Sequence, residues 1–226
     1  MRSTMLRILV ASVLFCACVA FHQAPLVRSA ALRAGVSSHA RRSCLQMVSS
    51  AVDGITDDKR RLLKIVSTTG MGKEESIAGA QEVDAIINKL ETLGKGFDEA
   101  TVDGEWQLVF SRNSKGSPSL QKVFSFQKGF ANFDVREKVF HNIVQLAGNK
   151  IKVLADVAYE AEGDRLHSTI TMAGIKLGPL FIPLPFKGRK GYLDMLYLDD
   201  EFRVTKGNRG GVFLHVRPNS LLSKEA

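Results

Sequence analysis

Between positions 151 and 160 the sequence alternates with period two. Ile151, Val153, Ala155, Val157 and Tyr159 fall on one face, and Lys152, Asp156 and Glu160 on the other. Side chains of a strand point alternately to opposite faces, so this pattern demands a sheet with one buried side. Glu162-Gly163-Asp164 then supplies a turn, and residues 165–173 a partner strand. Residues 106–111 (WQLVFS), 192–198, 202–206 and 212–217 read as further strands, with Asp199-Asp200-Glu201 and Gly207-Asn208-Arg209-Gly210-Gly211 as turns. Residues 135–146 read as one more strand, apolar on both faces, and 124–126 as a short one. About seven or eight strands in roughly 115 residues, joined by hairpin-sized connections, specify a small antiparallel barrel or sandwich.

Ahead of the strands the period is helical. Residues 57–69 (DDKRRLLKIVSTT) open on acids that suit a helix N-terminus and place Leu62, Leu63 and Val66 on one face. In residues 80–93, Val83, Ile86, Ile87, Leu90 and Leu93 trace a second stripe. Its opposite face carries Glu82, Asp84 and Glu91 beside Lys89, so the stripe suits docking on a sheet better than lying on a membrane.

The charge is unevenly distributed. Of 31 Lys+Arg, six (Arg2, Arg7, Arg28, Arg33, Arg41, Arg42) lie in residues 1–46, which contain no acid, so residues 47–226 carry 25 against all 23 acids. The formal +8 that suggests nucleic acid therefore reduces to +2, and nucleic-acid binding is disfavoured. All three cysteines (Cys16, Cys18, Cys44) lie in the same leader, which leaves residues 47–226 without thiol chemistry. A basic start, an apolar run over 8–18 too short to span a bilayer, small residues before Phe21 and an acid-free Arg/Ser/Ala stretch follow in order. This resembles the two-part presequence of algae with secondary plastids, a signal peptide over 1–20 and a transit peptide over 21–46. A secretory signal with a basic linker is the alternative, and the acid-free second part favours the former. The expected domain is then 47–226, with a helical lead-in over 57–93 and strands over 104–217.

Residues 178–191 (GPLFIPLPFKGRKG) stand apart. Pro179, Pro183 and Pro185 are unsuited to a central strand, yet Leu180, Phe181, Ile182, Leu184 and Phe186 are apolar and Lys187, Arg189 and Lys190 follow. Such a segment suits a lipid surface, with Phe181, Ile182 and Phe186 inserted and the three cations at head groups, or it packs over a barrel end.

No catalytic constellation is present. There is no Gly-x-Ser-x-Gly elbow, and Gly70-Met71-Gly72-Lys73 lacks the spacing of a phosphate loop. His141, His167 and His215 fall on separate strands, which predicts no shared metal. The acids of 199–201 are expected to point to water at a tight turn. Arg203 with Asp194 and Asp199 is the one polar cluster worth inspecting, with a fold-stabilising ion pair the expected role.

Particular strings carry a resemblance. Gly104-Glu105-Trp106-Gln107-Leu108-Val109-Phe110-Ser111, then Gly191-Tyr192-Leu193-Asp194, Tyr197-Leu198-Asp199-Asp200-Glu201-Phe202-Arg203-Val204 and the turn from Lys206 through Gly207 to Gly211 resemble the opening strand and closing signature of the plastid-lipid-associated protein (fibrillin) family. Tyr192, Met195 and Phe110 depart from its usual residues without changing the apolar character. The resemblance covers about 57–217. It implies a mainly β fold, a lipocalin-like antiparallel barrel preceded by two short helices, a plastid location at thylakoids or plastoglobules, and no enzyme activity, metal or cofactor. The function expected is binding of an apolar metabolite, such as a prenylquinone, carotenoid or acyl lipid, with Trp106, Phe110, Val153, Val157 and Tyr159 lining the barrel. A coat of lipid globules without internal ligand, or a partner of a prenyl-lipid biosynthetic enzyme, are the alternatives.

Overall fold

The computed structural model describes residues 54–70, 72, 75–93, 96–112, 128–146, 150–220 and 222. Three helices, α1 (54–68), α2 (Ile77–Glu91) and α3 (Glu99–Val102), precede nine strands. These are β1 (Gly104–Arg112), β2 (Lys128–Asp134), β3 (Val139–Leu146), β4 (Ile151–Glu162), β5 (Arg165–Leu177), β6 (Leu180–Pro183), β7 (Lys190–Leu198), β8 (Phe202–Gly207) and β9 (Val212–Val216). The leader read over 1–46 and the short strand read over 124–126 lie outside the described residues.

Every pairing is antiparallel. The order β1-β2-β3-β4-β5-β7-β8-β9 returns to β1, so eight strands close a barrel. Closure leaves the ring without the free edge that invites unwanted pairing. β6 is the exception. It pairs with residues 174–177 of β5 while β7 takes residues 165–169, so β6 and β7 act as one strand interrupted by a loop. Leu184 N–H to Ala173 O (2.9 Å) and Gly188 N–H to Ile170 O (2.7 Å) stitch that loop to β5. The proline-rich segment thus forms a short edge strand, where prolines are tolerated.

The stretch read as one strand over 135–146 divides. Residues 135–138 form a turn in which Lys138 adopts φ 53°, and Lys128–Asp134 is a strand that the sequence reading missed.

Two apolar layers hold the fold. One fills the barrel. The other lies between helices and barrel wall, where Leu62, Leu63, Val66, Val83, Ile86, Ile87 and Leu90 pack on Val109, Phe110, Tyr197, Phe202, Val204, Leu214 and Val216. Ser76 caps α2 by accepting from Gly79 N–H at 3.0 Å. Two of the acids on the far face of α2 meet Arg61 (Glu82) and Arg112 (Asp84), and its Lys89 meets Asp58 on α1. α2 ends at Glu91, so Leu93 lies beyond it, 39% exposed.

Candidate functional site

Register fixes which side chains look into the barrel. Trp106, Ala131, Asn142, Ala155 and Ala173 sit opposite one another across β1 to β5. Three of these five are alanines, so the inner wall is thin at this level and Trp106 is its one large side chain. The row beneath is bulky, with Phe133, Phe140, Val157 and Ile170. Below that Tyr159 pairs with Ser168. Phe133 and Phe140 stack at 4.9 Å, Tyr159 leans on both, and Phe97 meets Tyr159 edge-on at 6.1 Å. This aromatic floor is closed from below by α3, whose Val102 carbonyl accepts the Trp106 Nε1–H at 2.7 Å.

The two ends of the barrel differ. Trp106, Phe133, Phe140, Val157, Tyr159 and Leu166 are buried. Leu108, Asn142, Val144, Ile151 and Leu177 also face inward but are only half-buried. The barrel therefore has a sealed floor and a mouth whose rim is partly exposed, while Leu146, Val153 and Ile175 at the same end stay buried, and the wall leading to the mouth along β3, β4 and β5 is apolar apart from Asn142. The Asn142 side chain makes no hydrogen bond among the described residues.

The floor contains polar groups as well. The Tyr159 hydroxyl and Ser168 Oγ are sealed from solvent and have no hydrogen-bond partner. Burial first, then the carboxylates of Glu99, Asp103 and Asp134, push the Tyr159 hydroxyl up to about 12, so it stays protonated. Arg203 enters the barrel from β8, with its guanidinium 5.1 Å from the Trp106 ring and 4.9 Å from that of Phe133. Arg217 also lies over the Trp106 ring, at 3.9 Å, and donates to the carbonyls of Thr101 and Glu105. His215, beside Arg203 in register, has its Nδ1 buried, and burial followed by the Arg203 charge holds it neutral, well below the usual histidine range.

Of the residues expected to line the barrel, Trp106, Val153, Val157 and Tyr159 face inward. Phe110 does not. The register of β1 slips between Leu108 and Phe110, and the bulge turns Phe110 outward onto the helices. The expected cluster of Arg203, Asp194 and Asp199 is replaced by separate pairs. Arg165 holds Asp194 at 2.6 and 3.1 Å, and Lys59 holds Asp199. Asp199 does not point to water. It also accepts from the Tyr197 hydroxyl (2.7 Å) and the backbone N–H groups of Glu201 and Phe202. The signature residues Asp194, Tyr197, Asp199 and Arg203 thus brace the wall and floor. Gly191 lies opposite Ser168, and Gly207 N–H closes the β8–β9 turn on Gly211 O at 2.8 Å.

Within 178–191, Leu180 (56%) and Phe181 (40%) are exposed, and Ile182 is half-buried. Phe181 lies over Gly174, where a Cβ would collide with its ring. Leu184 and Phe186 instead pack on the barrel core, and Arg189 covers the Phe186 ring at 4.6 Å. Lys187, Arg189 and Lys190 are exposed. Outside the barrel a cleft of about 500 Å³ is lined by Glu91, Glu162, Asp164, Arg165, Asp194 and Lys206, among others. Its polar groups hold the fold: Asp164 accepts Phe97 N–H at 3.0 Å and Arg165 grips Asp194. No group of three metal-ligating side chains occurs among the described residues, and no described helix is long and apolar enough to cross a membrane.

A family model described as PAP_fibrillin matches residues 56–165 and 163–216, which spans both helical layer and barrel. A search of curated proteins finds no match.

Proposed function

This chain belongs to the PAP_fibrillin family of plastid lipid-associated proteins, and we propose that it is a carrier that holds one apolar metabolite in its barrel and exchanges it at a lipid surface. The observation that carries this reading is the contrast between the sealed aromatic floor and the inward residues Leu108, Val144, Ile151 and Leu177, which are only half-buried at the mouth. A ligand tail along Val144, Val153 and Ile175 gains about 0.8 kcal/mol for each methylene taken from water. The thin wall at Ala131, Ala155 and Ala173 favours a flat or unbranched group there. Asn142, the one polar side chain on that wall, gives a hydrogen bond to a carbonyl or hydroxyl, which favours a prenylquinone-like or acyl ligand over a pure hydrocarbon. No catalytic role is proposed.

Residues 1–20 and 21–46 are proposed as signal and transit peptides that deliver the chain to a secondary plastid, where it acts at thylakoids or plastoglobules. Exposed Leu180 and Phe181 support a second reading, a globule coat with no internal ligand. Organic extraction of protein purified from its native plastid, followed by mass spectrometry, separates the two. The carrier reading expects one apolar metabolite in near-stoichiometric amount, and an empty barrel that refuses every apolar probe rejects it.

A further inference from the structure

We propose that the barrel docks mouth-down on an anionic lipid surface through a row of lysines set just behind an apolar lip. The inference rests on the carrier reading for its purpose but on separate residues for its contact. The last row of the barrel wall is apolar: Leu146, Ile151, Leu177 and Leu180 lie opposite one another across β3 to β6. One residue back, on the outer face, the register runs Lys128, Gln145, Lys152, Lys176, Phe181. A strand rises about 3.3 Å per residue, so the ammonium groups stand a short step behind the lip. Lys150 adds a further exposed cation at the same end.

Among the described residues no acid neutralises this row. Residues 128–133, 139–155 and 172–193 contain no acid. Lys128, Lys150, Lys152 and Lys176 form no ion pair among the described residues. Lys152 and Lys176 are direct cross-strand partners, an arrangement that costs stability because like charges face each other. An anionic surface removes that repulsion. Lipid phosphates would meet the lysines while Leu180 and Phe181 enter the acyl boundary, and long lysine stems reach both levels. The mouth then opens directly into the lipid from which a ligand is taken. This places the contact at the lip, apart from Lys187, Arg189 and Lys190.

The test is co-sedimentation of the full chain with phosphatidylglycerol/phosphatidylcholine vesicles and with pure phosphatidylcholine. Binding is expected only to the anionic vesicles and to weaken with salt. Lys152→Glu/Lys176→Glu should weaken it at least about thirtyfold, since each lysine near such a surface contributes on the order of 1 kcal/mol. Lys152→Glu alone puts opposite charges across β4 and β5, so it should raise the melting temperature while weakening vesicle binding. Equal binding to both vesicle types, or loss only when Lys187, Arg189 and Lys190 are reversed, overturns the proposal. Binding of an isoprenoid quinone in detergent should survive the charge changes. If no probe enters the barrel yet the lysine-dependent docking holds, the carrier reading fails and the docking stands.

Discussion

Lys59 on α1 pairs with Asp199 at the β7–β8 turn, and this contact between residues far apart in sequence ties the helical layer to the barrel. The two side chains are only 12% and 18% exposed. Burial alone would raise the Asp199 pKa, but the Lys59 ammonium, the Tyr197 hydroxyl and the Glu201 N–H outweigh it and hold the carboxylate below its usual range. Lys59→Met strands that carboxylate and should cost about 3 kcal/mol in urea unfolding. Because the folded pKa is the lower one, the Asp199 contribution is complete above about pH 4 and fades as pH falls through the folded value. The gap between wild type and Asp199→Asn should therefore narrow in acid.

His215 makes the opposite kind of demand. Folded, it stays neutral in its site beside Arg203, while the unfolded chain takes up a proton below about pH 6.5. The unfolded state then binds more protons, so stability is flat above that pH and declines below it, by up to about 1.4 kcal/mol per unit for one site. His215→Gln should flatten urea-denaturation midpoints between pH 7.5 and 5.5.

The unpaired floor hydroxyls should be costly to the folded protein. Ser168→Ala is expected to leave the fold intact and raise stability by about 1 kcal/mol, since a sealed hydroxyl without a partner loses its hydration for nothing. Tyr159→Phe should act in the same direction. Thermal melts of both variants decide it.

Leu180→Ser/Phe181→Ser should abolish flotation with lipid globules while changing the melting temperature little, because both side chains are exposed. Phe186→Ser should do the reverse and lower the melting temperature, since its ring packs on the barrel core.

The sequence announced the barrel but not its phase. Alternation in β4 is uninterrupted from Ile151 to Tyr159, so the inward set Val153, Val157 and Tyr159 could be read directly. β1 and β7 carry bulges, between Leu108 and Phe110 and between Met195 and Tyr197, and each reverses which face is buried. Nothing in WQLVFS marks that slip, so strict alternation puts Phe110 on the wrong side of the wall. β2 carries too weak a pattern to be read, for a related reason. Its inward residues Gly129, Ala131 and Phe133 are mostly small, and the turn after it has neither glycine nor proline, only Lys138 in a left-handed conformation. The lysine row is invisible in sequence because its members come from three strands that only the register aligns.

Trp106 is the only tryptophan of the chain and faces into the barrel, so its fluorescence reports on the barrel interior. Titration of the full chain with an isoprenoid benzoquinone, a quencher of indole emission, tests the carrier claim most directly. Saturable quenching at one ligand per chain is the result the account predicts. Quenching that only rises linearly with quinone, or none at all, would contradict it.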